Sequence, residues 1–424
     1  MNNFTLIFLS ALLLSLGLKL WLAGRQIRHV RACRDQVPRA FRQRITLEMH
    51  QLAADYTIAR TRFGLAALLL NTLLLLGWTL GGGLNIVDQF WQSVDLPAIS
   101  TGIAVILSVL LLASLLELPL SLYQTFILEQ RFGFNKTTPA VFISDLIREG
   151  LLTLLIAPPL LLLILWLMPS SGQGAAPSPV GSLWWLDVWL VWLGFSLLML
   201  WAYPAVIAPL FNRFSPLADE ALQQRIMKLL QRTGFTADGI FVMDGSRRSA
   251  HGNAYFSGLG SHKRIVFFDT LINRLNADEI EAVLAHELGH FKHRHIHKHL
   301  AATALGSLLG AGLLAWLITQ PGFFSGLGVV QASPHLALLL LLLISPVFSF
   351  FVRPLIMGYA RRHEFEADDY AAEQSDAAHL ISALVKLYQD NAATLTPDPC
   401  YSLIYDSHPP ATIRIAHLAT RTRG

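Results

Sequence analysis

The run "GLLTLLIAPPLLLLILWLM" at residues 150–168 contains no charged side chain and is long enough to cross a lipid bilayer. The hydrocarbon core of a bilayer, about 30 Å thick, is crossed by roughly 20 helical residues. Six further apolar runs of similar length lie near residues 4–22, 63–84, 101–122, 184–205, 299–320 and 335–353. Pro346 interrupts the last run, so a kinked or partly buried helix is the alternative there. Together the runs predict a polytopic membrane protein with seven transmembrane helices.

The composition supports this class of protein. Hydrophobic residues make up 53% of the 424-residue chain and charged residues only 14%, too few to solvate the surface of an ordinary globular protein. The net charge of +4 is modest, and the basic residues cluster beside the apolar runs, so no nucleic-acid partner is predicted. The two cysteines, Cys33 and Cys400, cannot form a four-cysteine zinc site. The predicted partner of the apolar runs is the lipid bilayer.

The distribution of lysine and arginine predicts the orientation in the membrane. Apart from Lys19, these residues all lie in segments 23–62, 123–149, 206–298 and 353–424. The alternate segments 85–100, 169–183 and 321–334 contain none, and 169–183 is predicted to be a flexible outer linker. Because positive residues stay on the cytoplasmic side, the N-terminus is predicted outside and the C-terminus inside. The largest loop and the C-terminal tail therefore meet in the cytoplasm.

The stretch "AVLAHELGHFKHRH" at residues 282–295 carries the chemistry. The preceding Asn276 is a plausible N-cap of a helix that runs through this stretch. On a helix, His286 and His290 lie one turn apart on the same side, so both imidazoles can reach one metal ion. Glu287, next to the first histidine, can take a proton from a water at that ion. The pattern predicts one zinc ion per chain, with Glu287 as general base.

Four further histidines follow closely, and they are interpreted differently. His293 and His297, and likewise His295 and His299, are spaced four residues apart, but neither pair has a glutamate in the position equivalent to Glu287. They are predicted to form a polar, partly protonatable helix face near the membrane surface. A second metal site is the alternative.

A catalytic zinc site needs a third protein ligand, and segment 361–374, "RRHEFEADDYAAEQ", supplies candidates. On a helix Glu364 and Asp368 share one side, whereas Glu366 points roughly the other way. The spacing therefore favours Glu364 as the third ligand, with Asp368 behind it orienting a ligand histidine. An ordinary charged helix end is the alternative.

Two short stretches complete the predicted site. Residues 249–272 alternate as two strands around a turn at Gly258–Gly260, and an exposed edge strand can pair with an extended peptide. Asn253 can hydrogen-bond such a substrate, although an ordinary turn asparagine is the alternative. His408, before two prolines, can donate to the oxyanion formed during peptide hydrolysis, although an ordinary loop histidine is again the alternative.

These motifs together resemble the integral-membrane CAAX prenyl protease family of zinc metalloendopeptidases. The matching pieces are "ELPLSLYQTFILEQRFGFNKTTP" (117–139), "APLFNRFSPL" (208–217), "HGNAYFSG" (251–258), "HELGH" (286–290), "EFEAD" (364–368) and "SHPP" (407–410). The resemblance implies His286, His290 and Glu364 as zinc ligands, Glu287 as general base, and Asn253 and His408 near the scissile peptide. It also implies an orienting role for Asp368, a place near the site for Arg414, and a barrel of seven helices around a large chamber.

The predicted fold is mainly α, with seven transmembrane helices and a small α+β zinc-protease domain on the cytoplasmic side. Residues 1–205 are expected to hold five membrane helices, 206–298 the protease domain, 299–353 helices six and seven, and 354–424 the rest of the protease domain. The predicted location is a bacterial inner membrane, with the N-terminus periplasmic.

The predicted function is hydrolysis of membrane-associated or prenylated peptides, with a peptide or membrane-protein substrate as partner. A membrane quality-control protease, a zinc transporter and an inactive scaffold are the alternatives.

Overall fold

The computed structural model describes residues 2–169, 181–257 and 264–421. Within these ranges seven helices are long and apolar enough to cross a membrane, which confirms the predicted number. These seven helical stretches are Asn3–Cys33, Leu47–Trp78, Ala98–Glu129, Pro139–Leu167, Gly181–Phe211, His295–Leu317 and Pro334–Gln374. Each overlaps one predicted apolar run. The outer linker predicted at 169–183 and the turn at Gly258–Gly260 fall mostly outside the described residues.

The helices are labelled in chain order. They are α1 (Asn3–Cys33), α2 (Leu47–Trp78), α3 (Gly83–Gln92), α4 (Ala98–Tyr123), α5 (Pro139–Leu167), α6 (Trp184–Ala202), α7 (Ala208–Phe211), α8 (Glu220–Thr233), α9 (Asp269–Ile272), α10 (Ala277–Lys292), α11 (His295–Leu317), α12 (Pro321–Gly326), α13 (Pro334–Gln374), α14 (Ala377–Asp390), α15 (Pro399–Tyr405) and α16 (Ala411–Arg421). Wider π-helical segments, Gln124–Glu129 and Tyr203–Ile207, extend α4 and join α6 to α7.

Helix α13 joins the seventh membrane span to the segment that carries the acidic motif. Its 41 residues continue through Pro346 and Pro354, and a larger share of its apolar part is buried than in the other six spans. The sequence placed the end of the span at residue 353 because hydropathy registers only the apolar part of a helix. A continuous helix of about 1.5 Å rise per residue links the membrane rigidly to Glu364.

A four-stranded sheet lies beside the helices of the large loop. Its strands are β1 (Phe214–Pro216), β2 (Ile240–Met243), β3 (Ala254–Ser257) and β4 (Arg264–Phe268), in the order β1-β2-β4-β3. Strands β2 and β4 are parallel, while β1 pairs with β2 and β3 with β4 in antiparallel fashion. The two predicted strands are confirmed, and β3 forms one edge of the sheet.

Helix α10 contributes to the apolar core that lies beside the sheet. Asn276 caps it as predicted: its side chain accepts from the backbone of Glu279, and the Glu279 carboxylate accepts from the backbone of Asn276. Ile280 and Leu284 are buried against apolar residues of α8, the sheet and α14. The helix ends at Lys292, earlier than predicted, because Arg294 adopts a left-handed conformation with φ of 56° before α11 begins.

Candidate metal centre

Two helices bring the three predicted ligands together. His286 and His290 lie on α10, and Glu364 lies on α13, which packs against it. The Nε2 atom of His286 is 3.6 Å from Oε2 of Glu364, and the Nε2 atom of His290 is 3.5 Å from Oε1 of the same carboxylate. One ligand atom from each residue lies within 4.8 Å of the other two. A single ion can therefore contact all three after small side-chain adjustments.

A glycine permits the close approach of the two helices. A Cβ atom added to Gly289 would lie 2.8 Å from the Cα atom and 3.0 Å from the carbonyl oxygen of Ala367. Gly289 precedes His290, and Ala367 follows Glu364 by three residues, so this close backbone contact lies beside the ligands. The sequence analysis did not predict this function of Gly289. The signal for it is that each motif contains a small residue, Gly289 in one and Ala367 in the other.

Behind the ligands, Asp368 and Arg414 form a buried ion pair. The guanidinium of Arg414 donates to both carboxylate oxygens of Asp368 at 2.7 Å, and Asp368 lies 2.9 Å from Nδ1 of His286. Hydrogen bonds and charge from Asp368 raise the pKa of Arg414 further, although burial opposes this shift. Nδ1 of His286 thus faces a carboxylate, whereas its Nε2 faces Glu364. The geometry suits the predicted orienting role of Asp368.

The chemistry of the three side chains fits a cation. Oε2 of Glu364 is buried and makes no hydrogen bond among the described residues, although Nε2 of His408 lies 3.4 Å away and the guanidinium of Arg414 3.5 Å away. A buried carboxylate oxygen without a partner is costly unless a cation or proton satisfies it. Burial, with the nearby His286, lowers the pKa of His290 to about 3, so its imidazole is neutral at pH 7. Two imidazoles and a carboxylate form a ligand set that zinc accepts.

Two further candidate catalytic residues, Glu287 and His408, lie close enough to Glu364 to interact with its charge. Burial raises the pKa of Glu287 above its ordinary value, an effect that His286 opposes and Glu364 reinforces. A raised pKa makes the carboxylate a stronger proton acceptor once it is ionised. His408 is exposed, with 61% of its side chain accessible, and its Nε2 atom lies 3.4 Å from Oε2 of Glu364.

A cavity of about 1200 Å³ opens next to His408. It extends from the loop before α16 to the membrane helices α1 and α2, where Lys19, Arg60 and Leu68 line it. The resemblance implies a large chamber among the helices; the lining of this cavity includes His408 but none of the three candidate ligands. Its walls include polar and apolar side chains.

The structure does not join Asn253 to the three ligands. Its exposed side-chain oxygen accepts from the backbone of Ala254 at 2.8 Å, and its carbonyl oxygen accepts from Phe268 at 2.9 Å. Within the described ranges its hydrogen bonds are thus local to the sheet edge. Strand β3, which follows it, is the last strand of the sheet among the described residues. The substrate contact of Asn253 stays a prediction.

The histidines that follow α10 divide into two kinds. His293, His297 and His299 are exposed, as predicted for a polar helix face. That prediction is wrong for His295, which is 2% exposed. The helix break at Arg294 turns His295 back toward α10 and α13, and nothing in the local spacing indicated this. His295 also shows a contact with Glu366 that the sequence reasoning did not foresee.

Two family models match consecutive parts of the chain. "CAAX prenyl protease N-terminal, five membrane helices" matches residues 26–213, and "Peptidase family M48" matches residues 216–422.

Individual proteins are similar over most of the chain. The CAAX prenyl protease 1 homolog of Oryza sativa subsp. japonica is 35% identical over 74% of this chain and 72% of its own. The corresponding human homolog is 31% identical over 98% of this chain and 95% of its own. The crystal structure of S. mikatae Ste24p superposes with a TM-score of 0.89 at 28% identity, covering 99% of both chains.

Proposed function

Since this chain belongs to the CAAX prenyl protease family, a family of membrane metallopeptidases, we propose that it is a zinc-dependent endopeptidase that hydrolyses prenylated, CAAX-type peptides. The observation that carries the proposal is the convergence of His286, His290 and Glu364 from two helices. Oε2 of Glu364 supports it, because this buried atom makes no hydrogen bond among the described residues and a bound cation would satisfy it.

The three candidate ligands would hold one zinc ion and leave a position open to water and substrate. When bound there, zinc supplies Lewis acidity, which makes a water nucleophilic near neutral pH and polarises the peptide carbonyl. Glu287 takes the proton of the attacking water and then passes it to the nitrogen of the leaving peptide. Its raised pKa suits both steps, because the same group must accept and then release a proton.

His408 and Arg414 have separate roles in this proposal. His408 stands at the cavity, 3.4 Å from Glu364, where a neutral ring can donate its N–H to the oxygen of the carbonyl under attack. Arg414 is buried, pairs with Asp368 and also lies 3.1 Å from both ring nitrogens of His286, so it acts together with that carboxylate on the orientation of the ring. Asp368 accepts from Nδ1–H of His286, which leaves Nε2 with its lone pair toward Glu364.

The substrate class follows from the surroundings of the site. The relatives carry the name CAAX prenyl protease, and the cavity connects His408 with the membrane helices. A prenylated peptide has an apolar anchor in the bilayer and a peptide end that must reach the metal. The outer edge of β3 offers backbone groups to an extended peptide, and Asn253 precedes that edge.

The chain is an integral, multi-pass membrane protein. We keep the orientation, with the N-terminus outside and the C-terminus cytoplasmic, as a proposal that rests on the charge distribution. The bacterial inner membrane stays a proposal that the rice and human relatives do not support. The division into membrane segments 1–205 and 299–353 and protease segments 206–298 and 354–424 is part of the same proposal. Helix α13 crosses the boundary at 353 without interruption.

The test uses the purified full chain in liposomes with a synthetic farnesylated peptide that ends in a CAAX sequence. Mass spectrometry should detect its hydrolysis fragments, and metal analysis should find one zinc per chain. Glu287→Gln should retain zinc and yield no fragments, and in cell membranes it should accumulate uncut substrate proteins. Zinc-loaded protein that cleaves neither the farnesylated peptide nor its unprenylated counterpart would refute the proposed activity.

A further inference from the structure

The second ligand imidazole is joined to a chain of hydrogen bonds that none of the motifs predicted. Nδ1 of His290 lies 2.9 Å from Nδ1 of His295, and Nε2 of His295 lies 3.0 Å from Oε2 of Glu366. His295 begins α11, whereas Glu366 lies on α13. The three groups therefore link the helix of the first two ligands to the helix of the third.

The two candidate ligand histidines are arranged in parallel ways. Each turns Nε2 toward the carboxylate of Glu364, at 3.6 Å for His286 and 3.5 Å for His290. Each turns Nδ1 away from it. Nδ1 of His286 meets the carboxylate of Asp368 directly at 2.9 Å, whereas Nδ1 of His290 meets another histidine. His290 has no direct carboxylate contact at Nδ1; Glu366 supplies a carboxylate indirectly, through His295.

We propose that His295 and Glu366 form a relay that holds His290 in the metal-binding tautomer and orientation. His290 donates Nδ1–H to the unprotonated Nδ1 of His295, and His295 donates Nε2–H to Glu366. This arrangement leaves the lone pair on Nε2 of His290, the atom that faces Glu364. The proposal rests on the proposed metal site, and both members of the relay are positioning residues rather than ligands.

The surroundings fix the ring of His295 in place. The ring stacks on His363 with centroids 3.9 Å apart and planes 12° from parallel, and His293 stacks at 5.6 Å and 18°. Only 2% of His295 is exposed. Glu366 is held in turn by Arg362, whose Nε atom lies 3.2 Å from Oε1. A ring that is buried and stacked can impose its orientation on a neighbour, which a mobile surface histidine cannot.

A second cation at His295, His363 and Glu366 is the competing interpretation. One atom from each lies within 4.8 Å of the others, and Nδ1 of His363 is buried without a hydrogen-bond partner among the described residues. However, the stacked rings of His295 and His363 hold their in-plane lone pairs in two separate, nearly parallel planes, which disfavours their meeting at one ion. Both nitrogens of His295 are also already engaged. The geometry therefore favours the relay.

The test measures zinc affinity by chelator competition on the purified full chain, independently of turnover. His295→Leu removes the acceptor for His290, so zinc should bind about 10- to 100-fold more weakly. His295→Asn places an amide oxygen near the former Nδ1 position, so it should recover much of the affinity. His297→Leu, at an exposed histidine on the same helix, is the matched control and should bind zinc like the unmodified chain.

Two further measurements separate the relay from a loss of folding and from a second ion. Cobalt substitution should show a changed absorption spectrum in His295→Leu and an unchanged one in His297→Leu, provided that both variants elute as monodisperse protein. His363→Phe keeps a stacked ring but no ligand atom, and it should leave the metal content at one per chain.

Equal zinc affinity in folded His295→Leu and in the unmodified chain would overturn the relay. Two zinc ions per unmodified chain, with one lost in His363→Phe, would overturn it in favour of the second cation. Failure of the unmodified chain to bind zinc at all would instead refute the proposed function.

Discussion

Replacing Gly289 by alanine tests whether helix packing, rather than ligand identity alone, builds the metal centre. The added Cβ would lie 2.8 Å from Cα of Ala367, whereas ordinary contacts begin near 3.4 Å. Helices α10 and α13 must therefore separate locally by at least about 0.6 Å, the difference between these distances. The contact is between backbone and Cβ atoms, so no side-chain rotation relieves it.

The expected consequences for stability and for activity differ in size. Overpacking costs about 1–3 kcal/mol, but alanine in place of a helix glycine returns about 1 kcal/mol, so the net loss should be only 0 to about 2 kcal/mol. Metal ligands tolerate errors of about 0.2 Å, and the shift would act next to His290 and near Glu364. A misplacement of this order lowers kcat/KM by about 100-fold. Gly289→Ala should therefore remain folded but bind zinc weakly.

The assay compares zinc content, peptide hydrolysis and thermal unfolding in detergent for Gly289→Ala and for Gly306→Ala. Gly306 lies in α11, where an added Cβ meets no atom within 4 Å, so this control should keep full zinc content and activity. If Gly289→Ala bound zinc and hydrolysed peptide as the unmodified chain does, the argument from helix contact would be wrong.

Three other substitutions test the remaining parts of the site. Glu287→Gln should keep full zinc content while hydrolysis falls by about 100- to 10,000-fold, because the proton acceptor is lost; substantial zinc loss would instead indicate a structural role. Arg414→Gln leaves Asp368 buried without its counter-charge, so thermal unfolding should show a loss of about 3–5 kcal/mol, and an unchanged unfolding curve would contradict the buried pair. Glu279→Gln should cost about 2 kcal/mol at pH 7, since Glu279 caps α10 and accepts from Lys386 at 2.7 Å. Burial raises the pKa of Glu279, but these hydrogen bonds outweigh burial and lower the pKa below 4.5. The stabilisation by the Glu279 carboxylate is therefore present above pH 4.5 and is lost as the pH falls below it. The unfolding curves of Glu279→Gln and of the unmodified chain should converge in acid.

Much of the fold could be predicted because membrane helices are marked by local composition. A run such as residues 150–168 must be helical in a bilayer, since no water is present to satisfy its backbone groups. The helix cap at Asn276 and the two strands before α10 were also predictable from neighbouring residues. Local patterns failed at Arg294, whose left-handed conformation ends one helix and redirects the next.

The candidate ligands could be named from spacing, but the support around them could not. His286 and His290 are one helical turn apart wherever the helix lies, so their pairing is a local property. His295 and His299 are also spaced four residues apart, yet His295 is buried and His299 is exposed. That difference depends on the packing of α11 against α13, which involves residues about 70 positions apart in the chain.

The seven membrane helices, the two histidines with Glu287 between them and the acidic motif could be predicted locally, because each depends on residues within a few turns of one another. The contact of Glu364 with both imidazoles, the contact of Gly289 with Ala367 and the reach of His295 to His290 come instead from three-dimensional packing. These contacts depend on how α10 and α13 approach each other. That approach is set by close packing and burial among helices that are far apart in the chain, so no single segment predicts it.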